Sequence, residues 1–249
     1  MRRSLNMGLL TFLVMASTTA CGVPGVSGIT TLAKSVTPRT LTIPLPLDGI
    51  SANQIATMSL KDLKNATSVR LSGTFDDSGR HGTMTITQVK GVGCAGTIGE
   101  HGQGTIKLIL KGKTAWLKGD DTFWRAQGAG DGATMNLLAD NYIKITNRTF
   151  INQFAPLCQF AAGTASAMGS KPTGLTDTRT IVNDMAAVEL RDTSDSATMV
   201  VSDTATPEIL GLNDPGSGGG SFTFSGFNQP ATIAPPPTDQ TLDGAQFGM

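Results

Sequence analysis

Charge is scarce in this sequence. Asp, Glu, Lys and Arg make up only 15% of 249 residues and balance to a formal net charge of zero, so no basic face is available to follow a nucleic-acid backbone. Histidine is scarcer still. The only two, His81 and His101, have no Cys or His partner at a metal-motif spacing. They stand in the turn-rich stretches "DDSGRHG" and "GEHGQG", where they read as solvated surface residues, and no metal is expected. Catalytic signatures are missing as well. There is no G-x-S-x-G elbow, and "GTIGEHGQG", loosely like a phosphate loop, joins strand to strand without the helix N-terminus that would bind the anion. Asp76 with Asp77, and Asp120 with Asp121, fall in turn segments that favour Asp for local hydrogen bonding. The expectation is a protein that is not an enzyme and has no cofactor.

Long apolar runs are absent too. The run from Leu5 to Ala16 is shorter than the roughly 20 residues needed to cross a bilayer as a permanent helix. It follows Arg2 and Arg3 and leads through the small residues Ser17 to Ala20 into Cys21, which is the layout of an export signal. Thr18, Thr19, Ala20 and Cys21 resemble the lipobox of bacterial lipoproteins, with Thr18 where that motif usually has Leu. The resemblance implies removal of residues 1–20 and a diacylglyceryl group on the Cys21 thiol, which would anchor the chain to the extracytoplasmic face of the cell membrane. The alternative is ordinary signal cleavage beside Cys21.

Cysteine is limited to three: Cys21, Cys94 and Cys158. With Cys21 carrying lipid, Cys94 and Cys158 remain as an even pair in an oxidising compartment, where a disulfide is expected. The alternative is that Cys158, on the apolar side of a helical stretch, is a small buried hydrophobe.

What is present is alternation. "SVRLSGTF" sets Val69, Leu71 and Phe75 against Arg70, Ser72 and Thr74; "GTMTITQVKG" sets Met84 and Ile86 against threonines; "GTIKLILKG" puts Ile106, Leu108 and Leu110 on one face. Period two with one apolar face predicts an antiparallel sheet covered on one side. "KTAWLKGDDTFW" reads as a strand and a turn and "DNYIKITN" as a strand, with short helices in "GATMNLLAD" and in "TFINQFAPLCQFAAG", the latter divided at Pro156. "RTIVND", "AAVELRD", "ATMVVSD" and "GSFTFSGF" read as a second set of strands.

An amphipathic helix is predicted over about 52–65, capped by Ser51. Residues 21–49, with proline or glycine every few positions, read as a lipidated N-terminus and flexible tether. Residues 50–234 form the single folded domain, and 235–249 a C-terminal tail. The order of elements predicts an α+β fold in which roughly eight to ten strands form one strongly curved antiparallel sheet with helices on its concave face.

The lipobox and tether, then "NATSVRLSGTF", "GCAGTIGEHGQGTIKLILKGKTAWLKGDDTFW", "DNYIKI" and "GSFTFSGFNQPATIAPPP", resemble a family of actinobacterial surface lipoproteins. That family is similar to the lipid-carrying lipoproteins of mycobacteria and, at fold level, to LolA-like periplasmic carriers. The resemblance implies an incomplete β-barrel with helices inside its curve and an apolar cavity for acyl chains. Tyr142 stands where Trp would be expected, and no catalytic residue carries over. The chain is accordingly expected to bind or carry a lipid or other hydrophobic ligand, with Leu71, Met84, Ile86, Ile106, Leu108 and Leu110 lining the site. Its expected partners are the membrane, through the anchor, and that ligand. The alternative is a solidly packed cell-envelope scaffold with no cavity.

Overall fold

A computed structural model describes residues 45–249, apart from 78, 129–131, 169–171, 217–218 and 248–249. The expected signal, Cys21 and the expected tether up to residue 44 lie outside the described residues. Period-two alternation is realised as a single mixed sheet of twelve strands. From β1 (Ser68–Asp77) a meander runs outward through β2 (Arg80–Val89), β3 (Gly93–Glu100), β4 (Gly104–Lys111), β5 (Thr114–Gly119) and β6 (Tyr142–Ile145). On the other side of β1 lies β11 (Gly220–Ser225), followed by β10 (Ile209–Asp214), β9 (Thr198–Ser202), β8 (Met185–Asp192) and β7 (Leu175–Val182). A last strand, β12 (Thr241–Asp243), pairs with β6 in parallel, while every other pairing is antiparallel. The sheet stays open, ending at β12 and β7.

The register shows how the inner face is built. Phe224, Leu71, Ile86, Gly96, Leu108, Leu117 and Ile143 stand opposite one another in turn across seven strands. Gly96 permits the bend in this row: a Cβ there would run into the Thr85 carbonyl and the Cα of Ile86. At Gly73 the added Cβ would meet the Ser221 carbonyl and Phe222, so β1 and β11 also approach too closely for a larger residue.

Among the described residues, five helices cover the inner face. Ser51 caps α1 (Ala52–Asn65), with Gln54 Oε1 accepting from the Ser51 backbone N–H at 3.2 Å. Ile55, Ala56, Leu60 and Leu63 are buried where α1 packs on α5 (Phe160–Ala167), β7 and β10. Two short helices, α2 (Asp121–Ala126) and α3 (Ala133–Asp140), lie over β4, β5 and β6. The long helical stretch divides at Pro156 as expected, into α4 (Arg148–Phe154), a 3-10 turn over Ala155–Gln159, and α5. The disulfide between Cys94 on β3 and Cys158 in that turn, 64 positions apart with Cα atoms 5.1 Å from one another, fastens the helical layer to the sheet.

The α+β architecture with a curved open sheet is therefore as predicted, but several elements differ. β3 and β10 are not legible by alternation, because Gly93, Gly96 and Gly99 dilute one and a register shift between Ile209 and Gly211 breaks the other. α2 replaces a predicted turn. Its six residues are too few to show a period, and Asp120 Oδ1 caps it by accepting the Phe123 N–H at 2.8 Å. The ordered packing also runs past both expected boundaries. Leu47 is wholly buried, and in the expected tail Thr241–Asp243 complete the sheet edge.

Candidate ligand cleft

The six residues expected to line a site come together on the inner face. Leu71, Ile86 and Leu108 belong to the row described above, Met84 and Ile106 flank Ile98 in the next row, and Leu110 faces Cys94 in the third. Their surroundings are close-packed. Leu71, Ile86, Ile106, Leu108 and Leu110 are all less than a tenth exposed within one continuous core, and Met84 is half-buried against it. Phe160 of α5 lies over this region, its ring centroid 6.3 Å from that of Phe224. The aromatic cluster of α2 closes the neighbouring end of the core, with Trp124 buried and its ring 5.1 Å from Phe123, edge to face.

Open space on the inner face lies further along the sheet. A cleft of 590 Å³ separates the C-terminal end of α5 from β8, β9 and β10. Its floor is apolar: Leu190, Met199 and Leu212 stand opposite one another on adjacent strands. Met168 beside α5 and Leu175 at the start of β7 form the opposing wall. The two methionines suit a surface that must accept varied apolar shapes, because an unbranched thioether adapts its rotamer at little expense. The bulge between Ile209 and Gly211 gives β10 a local register distinct from the rest of the sheet, just before Leu212 reaches the cleft. The strand pattern of the sequence covers Leu190 and Met199 but does not mark them as a site, since the lining is assembled from four strands, a helix end and a loop.

The mouth is polar and acidic. Asp192, Asp195 and Asp214 border it, together with Asn213 and Thr198. Asp192 accepts from the Ser194 hydroxyl at 2.6 Å and the Ser194 N–H at 2.7 Å, and these bonds hold its carboxyl below the usual carboxylate range. Asp195 accepts the Ala197 N–H at 2.9 Å and Asp214 the Gly216 N–H at 2.8 Å, so each carboxylate is fixed by its own turn. The combination is an apolar slot with an acidic lip. It can take up a hydrocarbon or flat apolar body and leave a polar group at the surface.

Both histidines are exposed, as expected, and His101 stands in a turn, but His81 does not. His81 lies within β2 rather than in a turn, and His101 follows β3 directly opposite it. Their separation of 20 positions in sequence hides this juxtaposition, which strand pairing alone creates.

Neither a protein-family model nor a curated protein matches the sequence. Solved structures do match. The fold is similar to that of LprF. The crystal structure of LprF from Mycobacterium bovis superposes with a TM-score of 0.53 at 15% identity, covering 74% of this chain and 96% of that one. An uncharacterized conserved protein from Thermus thermophilus gives a TM-score of 0.34 at 10% identity, covering 77% of this chain and 98% of that one, too low a score to carry an argument. The likeness to LprF is one of fold.

Proposed function

We propose that this chain is a membrane-anchored extracytoplasmic lipoprotein that binds or carries a lipid or other hydrophobic ligand, held in the cleft between α5 and β8–β10. The observation that carries the reading is the apolar floor of Leu190, Met199 and Leu212 beneath a 590 Å³ opening on the inner face. That volume falls within the range of about 300–1,000 Å³ common for small-molecule sites. Each methylene taken from water into such a slot contributes about 0.8 kcal/mol, so micromolar binding takes about ten buried methylenes, and more once the entropy lost on association is counted. Cys21 after its export signal, and the resemblance to the lipid-carrying lipoproteins of mycobacteria, support the anchor and the cargo class.

The site proposed from the sequence shifts accordingly. Leu71, Ile86, Ile106, Leu108 and Leu110 serve as the packed core that shapes the carrier, and the ligand lies beside them.

Two substitutions test the reading against a scaffold with no cavity. Leu212→Trp fills a half-buried position in the cleft, whereas Leu108→Trp overpacks a side chain only 2% exposed. Lipid co-purified with the full chain is extracted and quantified by mass spectrometry. Wild type should carry lipid, Leu212→Trp should lose it with an unchanged denaturation midpoint, and Leu108→Trp should be destabilised by about 1–3 kcal/mol. A wild-type chain that carries no lipid and takes up no fluorescent fatty acid overturns the proposal. In cells fed a labelled fatty acid, Cys21→Ala should abolish covalent labelling, and undiminished labelling would remove the anchor.

A further inference from the structure

The cleft floor does not end at β10. Leu212 stands opposite Phe222 on β11, and the same inner-face row continues through Gly73, Met84 and Ile98 to Ile106 on β4. No position of this row carries a polar side chain. In the neighbouring row Phe224, Leu71, Ile86 and Leu108 are buried, whereas Leu212, Phe222, Met84 and Ile98 all keep part of their surface open. An apolar strip is left at the border of the core.

The far end of the strip is hollow as well. A cavity of 380 Å³ is lined there by Ile98, Ile106 and Phe123 of α2, with a polar border that includes Arg80 and Glu100, paired at 3.9 Å. Between this cavity and the cleft, the Phe222 ring leans so close to Gly73 that a Cβ on the glycine would meet it. The middle of the strip is therefore an aromatic ring beside bare backbone. From Leu212 to Ile98 the strip crosses four strand-to-strand steps, about 19 Å at the usual spacing of paired strands.

We infer that the cleft and the cavity beside α2 are the two ends of one groove, and that the ligand is an amphiphile whose long acyl chain lies across the strands from β8 to β4. The inference rests on the ligand-binding reading above and names the cargo more narrowly. The cleft alone spans the two steps from β8 to β10, about 10 Å, and holds only part of the chain that micromolar binding requires. The strip supplies the remaining contact. Met199 and Met84, one on each half of the groove, adapt their rotamers to the chain. Each strand from β8 to β4 has a neighbour on both sides, so the floor meets its guest with side chains rather than with an open sheet edge, which suits hydrocarbon and not peptide.

Two monoacylglycerols of different chain length, monodecanoin and monopalmitin, test the groove on the full chain by displacement of a bound fluorescent fatty acid. A buried methylene is worth about fourfold in affinity, so monopalmitin should bind at least about a hundredfold more tightly. Met84→Gln should reduce that gain to less than about tenfold. Monopalmitin with a photoreactive diazirine at the end of its chain, irradiated on the wild-type protein, should label the segment from β2 to β4, a result that depends on no variant. If neither monoacylglycerol binds, the cleft reading and the groove fall together. If monodecanoin binds and monopalmitin gains nothing, or the chain-end label stays on α5 and β8–β10, the groove alone is overturned.

Discussion

Asp203 ties the segment before α1 to the far edge of the sheet, and its removal should be the most informative single change outside the core. Its side chain is wholly buried and accepts the Leu47 N–H at 2.9 Å through Oδ1 and Arg179 Nη1 through Oδ2. Arg179 also donates to Asp48 Oδ1 at 3.0 Å, and Asp48 accepts the Leu45 N–H at 2.7 Å. Asp203→Ala leaves the N–H of wholly buried Leu47 without its acceptor, at about 1–3 kcal/mol. The guanidinium of Arg179 is about a third exposed and keeps Asp48, so losing its second partner adds only about 1 kcal/mol. The expected total is about 3 kcal/mol, equivalent to a fall of roughly 6–12 °C in Tm for a domain of this size. Asp203→Asn keeps an acceptor for Leu47 and should lose about 1 kcal/mol. Urea denaturation with an unchanged m-value measures both. If Asp203→Ala lies within about 0.5 kcal/mol of wild type, or if Asn is as damaging as Ala, residues 45–48 are not held in the way described.

Replacing Cys94 and Cys158 by serine should lower stability by about 4 kcal/mol on the loop-entropy account for a bridge spanning 64 positions, and the denatured, unreduced Cys21→Ala chain should titrate with no reactive thiol. A further prediction concerns pH. Burial, and secondarily the charge of Asp62, raise the carboxyl of Glu208, while burial raises that of Asp62 against the lowering effect of Lys61. Folded Glu208 therefore holds its proton more tightly than the unfolded chain does, and its ionisation subtracts from stability at neutral pH. That penalty vanishes as pH falls through the raised folded value and on below the unfolded one, so Glu208→Gln should be more stable than wild type at neutral pH and equal to it in acid. Urea midpoints across a pH series check this, and a difference that persists in acid would refute it.

Much of the framework is legible without coordinates, because alternation is a local property. Leu71, Ile86 and Leu108 each declare the buried side of their strand within a few residues, Ser51 and Gln54 mark the start of α1, and Pro156 marks the break between helices. Counting cysteines was enough to propose the bridge between Cys94 and Cys158. Elements escaped where the local signal was weak: glycine thins β3, a bulge interrupts β10, α2 is shorter than two turns, and β12 has three residues.

The candidate site was less legible than the fold, since apolar alternation identifies residues that face inward and is silent on whether anything fills the space above them. Leu108 and Leu212 are both inward-facing apolar strand residues. Only the placement of the helices over the sheet, which leaves an opening beside the end of α5, makes Leu108 core and Leu212 part of the floor of a cleft. The same holds for the polar pairings. Leu47 and Asp203 are 156 positions apart, and His81 on β2 meets His101 in the turn after β3, so their contacts exist only once the ladders are in register. The amino-acid sequence by itself determined which faces of the elements seek burial. Tertiary structure decided which of those faces meet, because burial drives association without direction and the choice of partner is made by chain path, register and the space left over.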